Sequence, residues 1–177
     1  PADQLVEAGH GDSSCVTAVV TGGEFVIGKG SVPITAESIL SVGAWDDAQG
    51  VTTSYGTPGK VFTSSPMQVP GGLLGVPGLE RLIPGLTDVT ATVEIATTEV
   101  PDVDILAAIY GGEVVALPIK IRLKNALLGP NCYIGSNDEP IVLHLEMEEA
   151  GTFEYVPVGD NGGSLIHASG GVVVDDD

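Results

Sequence analysis

Positive charge is what this chain has least of. Only 6 Lys and Arg stand against 24 Asp and Glu in 177 residues, a formal charge of −18 at pH 7. The field around such a chain repels phosphate and anionic headgroups, which argues against nucleic acid and anionic membrane as partners. Histidine and cysteine are nearly as scarce, at 3 and 2 residues. His10, His144 and His167 stand apart from one another, and none has a second His or a Cys at the short spacings that build a metal site. Long apolar runs are missing too: Gly, Pro, Thr or a charge interrupts every stretch before the roughly 18 residues a membrane-spanning helix needs. No transmembrane segment is expected. No fixed-period repeat is present either.

Glycine and proline, by contrast, are plentiful. With 25 Gly and 12 Pro they make up about a fifth of the chain, too much for a helical protein and too little for low-complexity disorder. They cut the sequence into short strands. A hydrophobic content of 43% is ample for a core, and the length suits one domain over residues 1–177. The two cysteines, Cys15 and Cys132, are an even count in an acidic, Lys-poor chain, which suits a disulfide and an exported protein. Closing so long a loop would stabilise the fold by about 4 to 5 kcal/mol in the chain-entropy view. The opening Pro1-Ala2-Asp3, with no initiator Met or basic-then-apolar leader, fits a mature chain released from a signal peptide.

Hydrophobic periodicity then places the strands. Val16-Thr17-Ala18-Val19-Val20 and Glu24-Phe25-Val26-Ile27 flank Gly22-Gly23 and predict a hairpin. A further strand covers 38–45 and ends near Trp45, the single tryptophan, which reads as a packing residue. Short strands are expected at 51–55 and 60–63. Residues 70–85 are apolar but bracketed by Pro and Gly, which leaves room for one helical turn at 79–83 in a compact loop plugging one end of the fold. Val89, Ala91, Val93 and Ile95 alternate with Thr90, Thr92, Glu94 and Ala96 as a half-buried strand.

The clearest alternation follows Gly111-Gly112. Leu117, Ile119, Ile121 and Leu123 share one face, and Lys120, Arg122 and Lys124, half of all the basic residues, share the other. The expected partner is 141–148, with Ile141, Leu143, Leu145 and Met147 toward the core and His144, Glu146 and Glu148 outward. Opposite charges would then meet across the pair and fix its register. Strands are also expected at 164–169 and 172–174, on either side of Gly170-Gly171. The fold class is therefore all-β, an antiparallel sandwich or barrel of about eight to ten strands.

These residues resemble a group of secreted β proteins of actinobacteria known only as hypothetical or secreted. The resemblance is carried by residues 21–25 through 32–34, by Ser65-Pro66-Met67-Gln68-Val69-Pro70-Gly71-Gly72-Leu73-Leu74-Gly75, and above all by 117–124 running into Leu127-Leu128-Gly129-Pro130-Asn131-Cys132-Tyr133-Ile134-Gly135-Ser136. It implies a secreted β fold and brings no activity with it. Members of the group continue past the equivalent of Val172-Val173-Val174 into an apolar, Cys-containing stretch. A strand ending at Val174 would accordingly offer a sheet edge, Val172, Val173 and Val174, to another subunit.

Candidate chemistry is thin. Gly11-Asp12-Ser13 resembles the nucleophile block of some secreted serine esterases and chymotrypsin-like proteases, where a tight turn exposes Ser to a His base. The esterase pattern also needs an Asp two residues before a C-terminal His, which the spacing from Asp160 to His167 does not give. The protease pattern needs a Gly-rich oxyanion loop where Ser14-Cys15 stands. No catalytic residue and no resident cofactor is expected. Acidic clusters at Asp46-Asp47, Asp102 and Asp104, Asn137-Asp138-Glu139, Asp160-Asn161 and 175–177 offer oxygen ligands for Ca²⁺, without an EF-hand pattern. The functional expectation is a non-enzymatic extracellular structural or assembly subunit, self-associating or bound to a cell-surface partner. The alternative is a secreted binding module with an apolar pocket near Trp45, Tyr55 or residues 71–83, for a hydrophobic or carbohydrate ligand.

Overall fold

The structure, a computed structural model, describes residues 13–27, 30–35, 37–46, 52–57, 60–72, 88–97, 99–147, 152–158, 163–169 and 172–175. The helical turn expected at 79–83 lies outside these residues, as does His10. The architecture is all-β and antiparallel. Fourteen strands are described: β1 Ser13–Val20, β2 Glu24–Ile27, β3 Gly30–Pro33, β4 Ser38–Asp46, β5 Thr52–Tyr55, β6 Phe62–Ser64, β7 Met67–Gln68, β8 Thr90–Ile95, β9 Gly112–Lys124, β10 Tyr133–Ile134, β11 Ile141–Met147, β12 Thr152–Val158, β13 Gly163–Ser169 and β14 Val172–Asp175. One short helix, α1 Ile105–Tyr110, precedes β9.

Two sheets share one core. In the first, β4 lies between β1 on one side and β5 and β6 on the other; in the second the order is β14-β11-β9-β8-β7, with β10 also on β9. Leu40 and Val42 of β4, Ala91 of β8 and Val115, Leu117, Ile119 and Ile121 of β9 belong to a single buried cluster, which gives the sandwich its interior. Ile119, wholly buried, sits at its centre. No closed barrel forms among the described strands.

The N-terminal hairpin is longer than the sequence suggests. Gly22-Gly23 is not its tip: β1 pairs with β4, from Ser13 opposite Trp45 to Val20 opposite Ser38, while β2 pairs with β3, from Glu24 opposite Pro33 to Ile27 opposite Gly30. The register steps by one residue between the two ladders. Gly23, with φ 132°, supplies a backbone conformation that side-chain-bearing residues rarely adopt, and its carbonyl accepts from Ile34 N at 2.9 Å. The glycine pair bends one long hairpin where a turn is expected.

β9 begins earlier than the cleanest alternation, at Gly112, and contains Pro118. In an antiparallel strand a residue's N–H and C=O face the same neighbour. The Pro118 carbonyl accepts from Ala96 N at 2.9 Å, so the missing N–H falls on the β8 side, just where the β8 ladder stops at Ile95 opposite Ile119. Proline is tolerated because it stands at the end of that ladder. Toward its start β9 carries a bulge: Leu145 pairs with Val115 and Glu146 with Glu113, which leaves Val114 as the extra residue.

β5 and β6 both pair with β4, β5 along Gly43–Asp46 and β6 along Ser38–Leu40, and between these ladders Ser41 N donates to Val61 O at 2.7 Å. A Cβ on Gly56 would collide with Val61, which is 3% exposed. The strands flanking Gly170-Gly171 go to different sheets: β13 pairs with β12, and β14 with β11.

Candidate functional site

The basic stripe does not meet β11. With β11 shifted toward the start of β9, Ile141 faces Ile119 and Leu143 faces Leu117, so His144 falls opposite Ala116 and Glu146 opposite Glu113. Lys120, Arg122 and Lys124 are opposite Glu94, Thr92 and Thr90 of β8 instead. The expected charge pairing therefore forms with a different strand. Arg122 Nε lies 3.0 Å from Glu94 Oε1, with side chains 33% and 26% exposed. That Nε is shielded from solvent and its N–H has no aligned acceptor, so charge rather than a directed hydrogen bond holds the pair. Lys120 Nζ donates to Asn137 Oδ1 at 2.8 Å and lies 5.2 Å from the centre of the Tyr133 ring. The stripe thus ties β8 and the 133–139 turn to β9. It borders an open groove of about 500 Å³ between β6 and β8, floored by Phe62, Thr92 and Glu94.

A second concavity, of about 320 Å³, is apolar. Phe25 and Val32 of the β2–β3 hairpin line it together with Met67, Val69, Gly72, Ile121 and other residues. Of the three places expected for an apolar pocket, the one at 71–83 contributes Gly72 to this lining. Tyr55 is on β5 opposite Gly43 and does not line it. For Trp45 the strand placement alone is described.

Residues singled out as candidate chemistry have structural partners. Asp102 Oδ1 accepts from Ser54 N at 3.2 Å, and Ser54 Oγ in turn accepts from Val103 N at 3.0 Å, which docks the 99–104 segment on β5. Asp104 caps α1, accepting from Ala107 N at 3.0 Å. Glu139 N binds Ser136 Oγ at 2.9 Å inside the turn that carries Asn137. His144 Nδ1 is 3.1 Å from Glu113 Oε2, where it sits beside two glutamates placed opposite each other by the bulge. Among the described residues no group of three or more His, Cys, Asp or Glu is placed to hold a metal ion. Asp47, Asp160, Asn161, Asp176 and Asp177 lie outside them. Ser13 begins β1 opposite Trp45, and His167 of β13 pairs with Glu154 of β12, so Ser13 and His167 are on different sheets.

The expected cross-link is not formed: Cys15 and Cys132 are both free thiols. Cys15 is exposed near the start of β1, opposite Gly43, whereas Cys132 sits just before β10 on the other sheet, its carbonyl accepting from Leu123 N at 2.9 Å. An even cysteine count suggests a bridge, but it does not bring two sheets' loops and edges together.

The sheet edges are the remaining feature. β14 ends the order of the larger sheet, with Val172 opposite Met147, Val173 opposite Glu146 and Val174 opposite Leu145, and no described strand on its other side. β1 is the corresponding edge of the smaller sheet, which sequence reasoning missed because it paired β1 with β2. Among the described residues no helix is long and apolar enough to cross a membrane. Comparison with models of protein families, with curated proteins and with solved structures finds no match for this chain.

Proposed function

We propose that the chain is a non-enzymatic extracellular structural or assembly subunit that associates through its sheet edges. The observation that carries this reading is β14, whose backbone is paired to β11 on one side and has no described partner on the other. A row of unpaired N–H and C=O groups is a template for a strand of another chain. Val172-Val173-Val174 is β-branched throughout, which suits a strand that gains its partner on assembly. The resemblance to secreted actinobacterial β proteins supports an extracellular setting. Negative-stain microscopy with light scattering on the purified chain, with and without Ca²⁺, tests the reading. Filaments, rings or a defined oligomer are expected, and a monomer at high concentration would sink it.

A second reading, a secreted binding module, rests on the apolar cavity under Phe25 and Val32. Its size and lining suit a small hydrophobic ligand. Saturable uptake of an acyl-chain probe, abolished by Val69→Asp in a chain that remains monomeric, would move the assignment there.

A further inference from the structure

The groove between β6 and β8 gathers polar groups that the fold leaves unspent. The Arg122 side chain is 33% exposed although its Nε is shielded, so the exposure belongs to its other atoms, and among the described residues no acceptor takes its two terminal NH2 groups. Thr92, opposite Arg122 on β8, is buried like Ser54, but where Ser54 Oγ serves Val103 N, no described residue hydrogen-bonds the Thr92 hydroxyl. A buried polar residue without a partner calls for an explanation, and a ligand group is one. Asn137 spends its Oδ1 on Lys120 and keeps its NH2 as a donor. Glu94 gives one oxygen to Arg122 and keeps the other as an acceptor. Phe62 adds an aromatic ring to the same lining.

We infer that this groove binds a carboxylated sugar, a uronate, with the ligand carboxylate on the Arg122 guanidinium. The site is separate from the assembly edges, since none of its described lining residues belongs to β1 or β14. Donors outnumber acceptors among the unspent groups, which calls for an acceptor-rich ligand, and a planar guanidinium matches a carboxylate better than any other anion of single charge. Lys120, Arg122 and Glu94 give the lining two cations and one carboxylate, a formal +1 in a chain that totals −18. At about 0.15 M salt, charges beyond about 8 Å are largely screened, so the local sign governs a ligand in contact. A phosphate dianion would meet Glu94 with twice the repulsion of a carboxylate. The remaining groups select a sugar: the second Glu94 oxygen accepts from a ring hydroxyl, Asn137 and Thr92 donate to others, and Phe62 covers a C–H face of the ring. An alkyl carboxylate would leave those polar groups desolvated and unpaired. The volume, about 500 Å³, is within the range of small-molecule sites.

The experiment is an NMR titration of the full 15N-labelled chain at about 0.15 M salt. Methyl glucuronide is compared with methyl glucoside, which carries CH2OH in place of the carboxylate, and with acetate and inorganic phosphate. Saturable shifts are expected at the amides of Thr92, Glu94 and Arg122, with methyl glucuronide bound at least about tenfold more tightly than each of the other three. Arg122→Met should lower the affinity for methyl glucuronide to that for methyl glucoside. Thr92→Val, close in shape, should weaken both glycosides and keep their ratio, and melting temperatures confirm that each variant is folded. The wild-type comparison and Thr92→Val decide the question even where Arg122→Met does not fold. Equal affinity for the two glycosides, or binding unchanged in Arg122→Met, would overturn the placement of the carboxylate. Phosphate or acetate bound as tightly would overturn the sugar in favour of an unselective anion site. Absence of saturable shifts around the groove would overturn the site itself, and none of these results bears on assembly through the sheet edges.

Discussion

Ser54 and Asp102 are polar side chains committed to holding the fold. Ser54 is 8% exposed, its hydroxyl accepts from Val103 N, and its own N–H is taken by Asp102. An acidic residue next to Pro and Val looked like a cation ligand in the sequence, where nothing shows that β5 passes beside it. Ser54→Ala leaves the Val103 N–H buried without an acceptor, so a loss of about 1 to 3 kcal/mol in denaturant unfolding is expected. A loss within the scatter of surface substitutions would mean that the 99–104 segment is not docked as described. The Arg122–Glu94 pair is partly exposed and screened by solvent, so a double-mutant cycle on Arg122→Ala and Glu94→Ala should give a coupling of only about 0.2 to 1 kcal/mol, falling with added salt. A larger, salt-insensitive coupling would contradict its placement at an open groove.

At the scale of strands, alternation was the dependable signal and pairing was not. Leu117, Ile119 and Ile121 are buried while Lys120 and Arg122 on the opposite face remain half-buried, as the period of two requires. Which strand those basic residues face depends on the 125–140 connection, whose β10 takes the place beside Ile121 and Arg122 where β11 is expected, and periodicity does not report that. Gly22-Gly23 misled for a related reason: a glycine pair marks unusual backbone but does not say whether the chain turns or bends there. β12, β7 and α1 went unforeseen, being too short or too weakly alternating. Gly56 is legible only in three dimensions. Gly56→Ala places a methyl against buried Val61 at the loop between β5 and β6. Forcing that contact should cost about 1 to 3 kcal/mol, read as a lowered melting temperature, and an unchanged melting temperature would show that the loop yields freely.

For the whole molecule, charge and edges oppose each other. A chain at −18 disperses its copies, while the β1 and β14 edges, with no described strand beyond them, invite pairing. Self-association should therefore strengthen as salt rises from about 0.01 M to about 0.15 M, since the Debye length falls from about 30 Å to about 8 Å while strand pairing is short-ranged. Association that weakened over that range would point to attraction between charged patches instead. Val173→Lys places a charge on the β14 edge and should reduce self-association in light scattering without loss of the fold.

The claim that copies meet through sheet edges is tested most directly by backbone hydrogen–deuterium exchange measured as a function of protein concentration. Amides of Ser13–Val20 and Val172–Asp175 should become slower to exchange as concentration rises, while those of Ile119, Ile121 and Arg122 in β9, which have strand partners on both sides, stay constant. Concentration-independent exchange at both edges would contradict the account.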